Sequence, residues 1–242
     1  MRHTLFISDL HLEPDRPDMT QCLLSFLKQQ APQADALYIL GDFFEVWIGD
    51  DQKSNFHETI ITALRQLTAF GFPVYFMHGN RDFLIGERFM KATGCHFLTD
   101  PTIIELYGKR VLLAHGDSLC SADVRHQRFR KYARNPRYNR LFLWLPLWLR
   151  KLIARQIRNL SKRHTTNMSD QIMDVVLQTV EEVMHQHQVT QLIHGHTHRP
   201  AMHRFVLDKT PACRVVLSDW HAHGSALVYY ENQEMEFICF PF

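Results

Sequence analysis

The chain has little cysteine and uses it sparsely. Cys22, Cys95, Cys120, Cys213 and Cys239 are odd in number, scattered, and form no Cys-x-x-Cys pair, which points to a reducing, cytosolic compartment rather than a disulfide-built fold. No apolar run approaches the roughly 20 residues of a membrane-spanning helix. Met1-Arg2-His3-Thr4 leads straight into the strand-like Leu5-Phe6-Ile7, without the charged leader and cleavage site of a secretory signal. Internal repeats, low-complexity tracts and an interdomain linker are also missing, so a single domain over residues 1–242 is expected, large enough to bury a sizeable core. Finally, Asp and Glu are absent between Val124 and Asn167, whereas 13 of the 27 Lys and Arg residues fall there. A block so one-sided suggests contact with phosphate, nucleic acid or an anionic membrane surface.

What is present is 45% hydrophobic and 21% charged, the composition of a globular protein. Strand-like Thr4–Ser8 precedes a helix over Thr20–Gln30. Ala36–Leu40 reads as the second strand, and a helix around His57–Phe70 stops at Gly71, where a C-cap is expected. Val74–Met77 is a third strand. Ile103–Leu106 and Val111–Ala114 flank the hairpin-like Tyr107-Gly108-Lys109-Arg110. After the basic block, Ser169–His187 has amphipathic helical spacing through Ile172, Val175, Val176, Thr179, Val180 and Val183. Short strands at Arg214–Leu217, Ala226–Tyr230 and Met235–Ile238 close the chain.

Five strand-like runs end in Asp, Asn or His beside a small residue: Asp9/His11, Asp42, Asn80, His115 and His196/His198. Taken singly, Asp9, Asp42 and Asn80 suit turns, and the histidines suit the surface or the core. Strands in a layered α/β fold, however, bring their carboxyl ends to one edge, so the five clusters can converge. Two divalent ions about 3.5–4 Å apart need mixed N/O ligands and open positions for water and phosphate. Two carboxylates, an amide oxygen and four imidazoles meet that need, and the mixture suits Mn, Fe, Co or Zn better than magnesium alone.

Asp9-x-His11, Gly41-Asp42-x-x-Glu45, Gly79-Asn80-Arg81-Asp82, His115-Gly116 and Gly195-His196-x-His198 resemble, in order, the motifs of the calcineurin-like metallophosphoesterases. The resemblance implies an α/β protein, α+β in some schemes: a two-sheet β-sandwich flanked by helices. It further implies that Asp9, His11 and His198 hold one ion, that Asn80, His115 and His196 hold the other, and that Asp42 bridges them. Many members carry His where Arg81 stands. Arginine stays protonated at neutral pH, so its part is to clamp phosphate oxygens and stabilise developing charge.

That difference points to a narrower resemblance, extending over essentially the whole chain, to the branch of the family that splits UDP-2,3-diacylglucosamine in lipid A biosynthesis. It implies two Mn2+ ions, attack of water on the α-phosphorus, and the products UMP and 2,3-diacylglucosamine 1-phosphate. Asp42, Asn80, Arg81 and His196 would act in catalysis, and Asn80, Arg81, Asp123, Ser161 and His196 would contact substrate. Thr165 and Met168 depart from the Asn and Lys more usual there. Residues 124–167 are expected to be a basic and apolar helical cap insertion, Leu141–Leu149 meeting lipid and the arginines meeting anionic headgroups; a helical hairpin with a solvated basic face is the plainer alternative. The partners expected are the acylated sugar nucleotide and, peripherally, the cytoplasmic face of the inner membrane, with neither nucleic acid nor an obligate protein partner. A dinuclear phosphoesterase for nucleotides or phosphoproteins is a rival reading. A noncatalytic interaction module of the same fold is another, disfavoured because all seven ligands are present.

Overall fold

The computed structural model describes residues 1–52, 54–166 and 174–242, without the side chains of 162–166. Thr165 and Met168, and with them Lys162, Arg163 and Ile172, therefore lie outside the described side chains. The chain opens with β1 (His3–Ile7), α1 (Pro17–Gln29), β2 (Ala36–Ile39), α2 (Asn55–Ala69) and β3 (Val74–Met77). Pro17 at the first turn starts α1, where its missing N–H is harmless. Ser54 caps α2 by accepting the His57 N–H, and Gly71 follows the helix in the left-handed region at φ 80°. Next come α3 (Glu87–Thr93), β4 (His96–Leu98), β5 (Thr102–Leu106) and β6 (Lys109–Ala114).

Three helices then occupy the basic block: α4 (Val124–Ala133), α5 (Pro136–Trp144) and α6 (Leu147–Thr166). Asp123 caps α4 and Asn135 caps α5. The chain returns through α7 (Leu177–His187), β7 (Gln191–His194), β8 (Ala201–Leu207), β9 (Thr210–Val216), β10 (Gly224–Tyr230) and β11 (Met235–Phe240). The helix expected from Ser169 is not yet formed at 174–176. There Asp174 accepts the Val175 N–H at 2.7 Å and Val176 N–H bonds Leu119 O at 3.0 Å, which holds the segment extended. α3, β4 and β8 have no counterpart in the sequence reading; all are short or at an edge.

One sheet has the order β11-β10-β1-β2-β3-β4 and the other β5-β6-β7-β9-β8. β1 to β4 are parallel, as are β6, β7 and β9. Period-two alternation divides each strand between two layers. Phe6, Tyr38, Leu40 and Met77 meet Leu113, Ile193, Val215 and Leu217 between the sheets. Leu5, Ile7 and Ile39 point the other way, onto Leu23 and Phe26 of α1 and Ile60 and Leu64 of α2. On the far face of the second sheet, Leu112 and Leu192 pack on Val180 and Met184 of α7. The result is the two-sheet sandwich flanked by helices, and the parallel strands of both sheets end along one edge.

Candidate metal centre

At that edge the backbone is bent sharply. Asp9, His11, Asp42, His196 and His198 all have positive φ, from 50 to 72°. The conformation costs about 1–2 kcal/mol for an ordinary residue, somewhat less for Asp and His. Its recurrence at five strand-end residues aims their side chains at a common point. Hydrogen bonds hold the turns: Asp9 N–H to Gly41 O at 3.0 Å and His11 N–H to Asp42 O at 2.9 Å. Buried Asp82 accepts the Gly79 and Phe43 N–H groups at 2.7 and 2.8 Å, pinning two of these loops together. Burial and the neighbouring Asp42 push its carboxyl up to about 6. Close approach requires glycine here: a Cβ on Gly79 would strike Asp42, and one on Gly195 would strike Asp9 and Ser8.

Donor atoms of Asp9, His11 and His198 lie within 4.8 Å of one another, and so do those of Asp42, His115 and His196. Asp9 Oδ2 accepts from Ser8 Oγ at 2.6 Å and from the His196 N–H at 2.9 Å. Among the described residues its other oxygen is buried without a hydrogen-bond partner, 3.4 Å from His198 Nε2 and 4.0 Å from His11 Nε2. Asp42 Oδ1 accepts the Arg81 N–H at 2.8 Å, while Oδ2 lies 3.8 Å from both His11 Nε2 and His115 Nε2. Asp42 thus stands between the two groups. Asn80 Oδ1 lies 2.9 Å from His115 Nε2 and 3.1 Å from His196 Nδ1.

These residues fit a pair of divalent ions. His115 Nδ1–H donates to Leu40 O at 2.9 Å, which fixes the ring and leaves Nε2, beside Asn80 Oδ1, as the nitrogen that would ligate an ion. The Asp9 oxygen, buried among imidazoles, is an acceptor that a shared cation would satisfy. Separations of 3–4 Å are what donors about 2.1 Å from one ion leave between themselves. The electrostatics agree. Burial opposes charge on His115, yet Asp42, Asp9 and Asp117 outweigh it and raise its pKa to about 9. Burial likewise works against ionised Asp9, but His198, His115 and His11 hold its carboxyl well below the usual range.

Several supporting groups were not legible as such. Glu45 Oε2 lies 2.8 Å from His11 Nδ1, the arrangement that orients a ligating imidazole, and its Oε1 pairs with Arg158 of α6 at 2.6 Å. Burial would raise the Glu45 carboxyl, but His11, Arg81 and Arg158 hold it below its ordinary value. The Gly-Asp-x-x-Glu spacing contained Glu45 without stating its role, and nothing distinguished Arg158 from the cations around it. His126 of α4 brings its ring to 5.5 Å from that of His196. Much of the basic block turns inward: Arg130 and Arg134 clasp the buried Asp100 and Asp117 at 2.8–3.2 Å, and Arg150, 2% exposed, bonds Ile48 O and Asp51.

The centre lies in a polar cavity of about 540 Å³ whose wall includes Asn80, Arg81, Asp123, Ser161 and His196. It adjoins a second, apolar cavity of about 550 Å³ lined by Trp47, Phe83, Leu84, Phe129, Phe142, Ile157 and Leu160. Asn80, Arg81, Asp123 and Ser161 border both.

Residues 2–200 match the family model described as Calcineurin-like phosphoesterase. A Coxiella burnetii protein named UDP-2,3-diacylglucosamine hydrolase is 52% identical over 240 residues, covering 99% of this chain and 98% of its own length. Proteins of the same name from Pseudomonas entomophila and Escherichia coli are 50% and 48% identical, covering 98% and 99% of each chain respectively. The chain therefore belongs to the calcineurin-like phosphoesterase family, in the branch whose members are named UDP-2,3-diacylglucosamine hydrolase.

Proposed function

We propose that the protein hydrolyses the pyrophosphate bond of UDP-2,3-diacylglucosamine to UMP and 2,3-diacylglucosamine 1-phosphate, in lipid A biosynthesis. The main support is the junction of the two cavities, where a cluster of metal-ligand type opens directly into an apolar chamber beneath α4–α6. A nucleotide or phosphoprotein phosphatase has no use for such a chamber, whereas two acyl chains do. Asp9, His11 and His198 would hold one ion, Asn80, His115 and His196 the other, and Asp42 both; Mn2+ suits these ligands. Such ions neutralise phosphate charge and lower the pKa of water.

The rest falls to the chain's own side chains. Arg81, fixed through its backbone to Asp42, clamps phosphate oxygens and stabilises charge developing during attack. Asn80 and His196 face the phosphates, and Asp123 and Ser161 line the wall where the glucosamine would sit. Water attacks the α-phosphorus in line, and the bond to the bridging oxygen breaks. That oxygen leaves on the sugar 1-phosphate.

Residues 124–167 act as a cap over the acyl chains. On its outside, Leu141, Trp144, Trp148 and Leu152 are exposed among Arg137, Arg140 and Lys151, a composition suited to the anionic cytoplasmic face of the inner membrane. Among the described residues no helix is long and apolar enough to cross a membrane, so attachment would be peripheral. The test is UMP release from UDP-2,3-diacylglucosamine in mixed micelles by manganese-loaded protein, in water enriched in oxygen-18. Label should enter UMP alone. No UMP release while other phosphoesters are cleaved would refute the assignment.

A further inference from the structure

Building on the proposed pyrophosphate hydrolysis, we infer that the uridine half of the substrate seats in the outer arm of the polar cavity, the part lined by Leu10, Arg16, Met19 and His221. The two cavities meet at Asn80, Arg81, Asp123 and Ser161. Asp9, Asp42 and His198 line the polar cavity alone, and so do Leu10, Arg16, Met19 and His221. The polar cavity therefore has a part, lined by these four residues, that lies off the rim it shares with the apolar chamber.

A pyrophosphate diester has two ends. With its phosphates at the ligand cluster and its acyl chains in the apolar chamber, the nucleoside has the outer arm left to it. The arm's chemistry suits a flat, polar heterocycle on a ribose. Leu10 and Met19, both buried, line the arm with apolar side chains. Arg16 is held by Asp18 through bonds of 2.7–3.1 Å and lies 5.4 Å from the Phe242 ring, so its planar guanidinium is pre-positioned. His221 is exposed and lines the same cavity. A pyrimidine ring stacks on such planar groups with little dependence on its hydrogen-bonding edge.

The experiment is calorimetric titration of the metal-loaded protein with UMP, with ribose 5-phosphate, which lacks the base, and with 2,3-diacylglucosamine 1-phosphate. UMP should bind about tenfold more tightly than ribose 5-phosphate, the worth of one stacked base. Arg16→Ala combined with His221→Ala should erase that preference while leaving the lipid product's affinity unchanged, which also reports that the variant is folded. Arg16→Lys, which keeps the charge but not the plane, should lose most of it. Equal binding of UMP and ribose 5-phosphate to the unaltered protein, or a preference that survives in the double variant, would overturn the subsite. Failure of the unaltered protein to release UMP from the full substrate would instead overturn the catalytic assignment.

Discussion

Replacing Gly79 by Ala tests whether the position of Asp42 governs the centre. The added Cβ would meet Asp42 N and Oδ1, and lie 2.8 Å from its Cγ. Reaching ordinary van der Waals separation requires the two loops to part by about 1 Å, and Asp82, which ties Gly79 to Phe43, resists that movement. The strain should cost about 1–3 kcal/mol, lowering Tm by about 2–12 °C for a chain of this size. Asp42 Oδ2, now 3.8 Å from imidazole nitrogens on either side, would leave its midpoint, and a 1 Å error in such a group reduces turnover by about 100-fold. Metal content by plasma mass spectrometry should fall below two ions per chain. Gly71→Ala is the control. Gly71 also has positive φ, 80°, but its Cβ would meet nothing within 4 Å; it should lose about 1 kcal/mol of stability and no activity. Two bound ions and normal turnover in Gly79→Ala would refute the reasoning.

Glu45→Gln keeps the shape beside His11 but removes the charge that orients it, so metal affinity should fall by about 10–100-fold; chelator competition giving an unchanged constant would count against that role. Arg134→Ala removes one of the two arginines that clasp Asp100 and Asp117, both with nearly fully buried side chains, and should cost about 3 kcal/mol in urea unfolding, a loss under about 1 kcal/mol showing that the clasp is not structural. His78 and His194 are each held near 4, chiefly by burial, against about 6.5 when unfolded. Below pH 6.5 the unfolded chain therefore binds protons that the folded one refuses. Stability should be full above that pH and decline towards pH 4, by up to about 3 kcal/mol per histidine. His194→Gln should flatten the urea-midpoint profile over this window, and an unchanged slope would contradict the account.

The candidate ligands were legible because each follows a strand whose continuous apolar run is short and bounded by a small residue, as in Ile39-Leu40-Gly41-Asp42. Parallel strands share an edge, so sequence order became spatial convergence. The cap was harder to read. Its charge marked it as unusual, but composition does not say which cations turn inward: Arg130, Arg134 and Arg150 serve carboxylates and carbonyls that lie 5 to 102 residues away. The start of α7 was misjudged for a related reason. Val175 and Val176 fit the helical stripe, yet their N–H groups are bound to Asp174 and Leu119, and local periodicity is blind to that competition. β8 is an edge strand with exposed His203 and Arg204, too polar to be noticed.

Each ligand group draws on both sheets. Asp9 and His11 follow β1 in one sheet, but His198 follows β7 in the other; His115 and His196 belong to the second sheet, but Asp42 and Asn80 to the first. The centre is in effect an interface within one chain, and neither half is a partial site that could be kept while the other drifted. Ion binding would therefore clamp the two layers at their open edge, and any substitution in the inter-sheet core that changes their spacing, at Leu113 or Ile193 for instance, would be felt as a change in metal affinity before it was felt as unfolding.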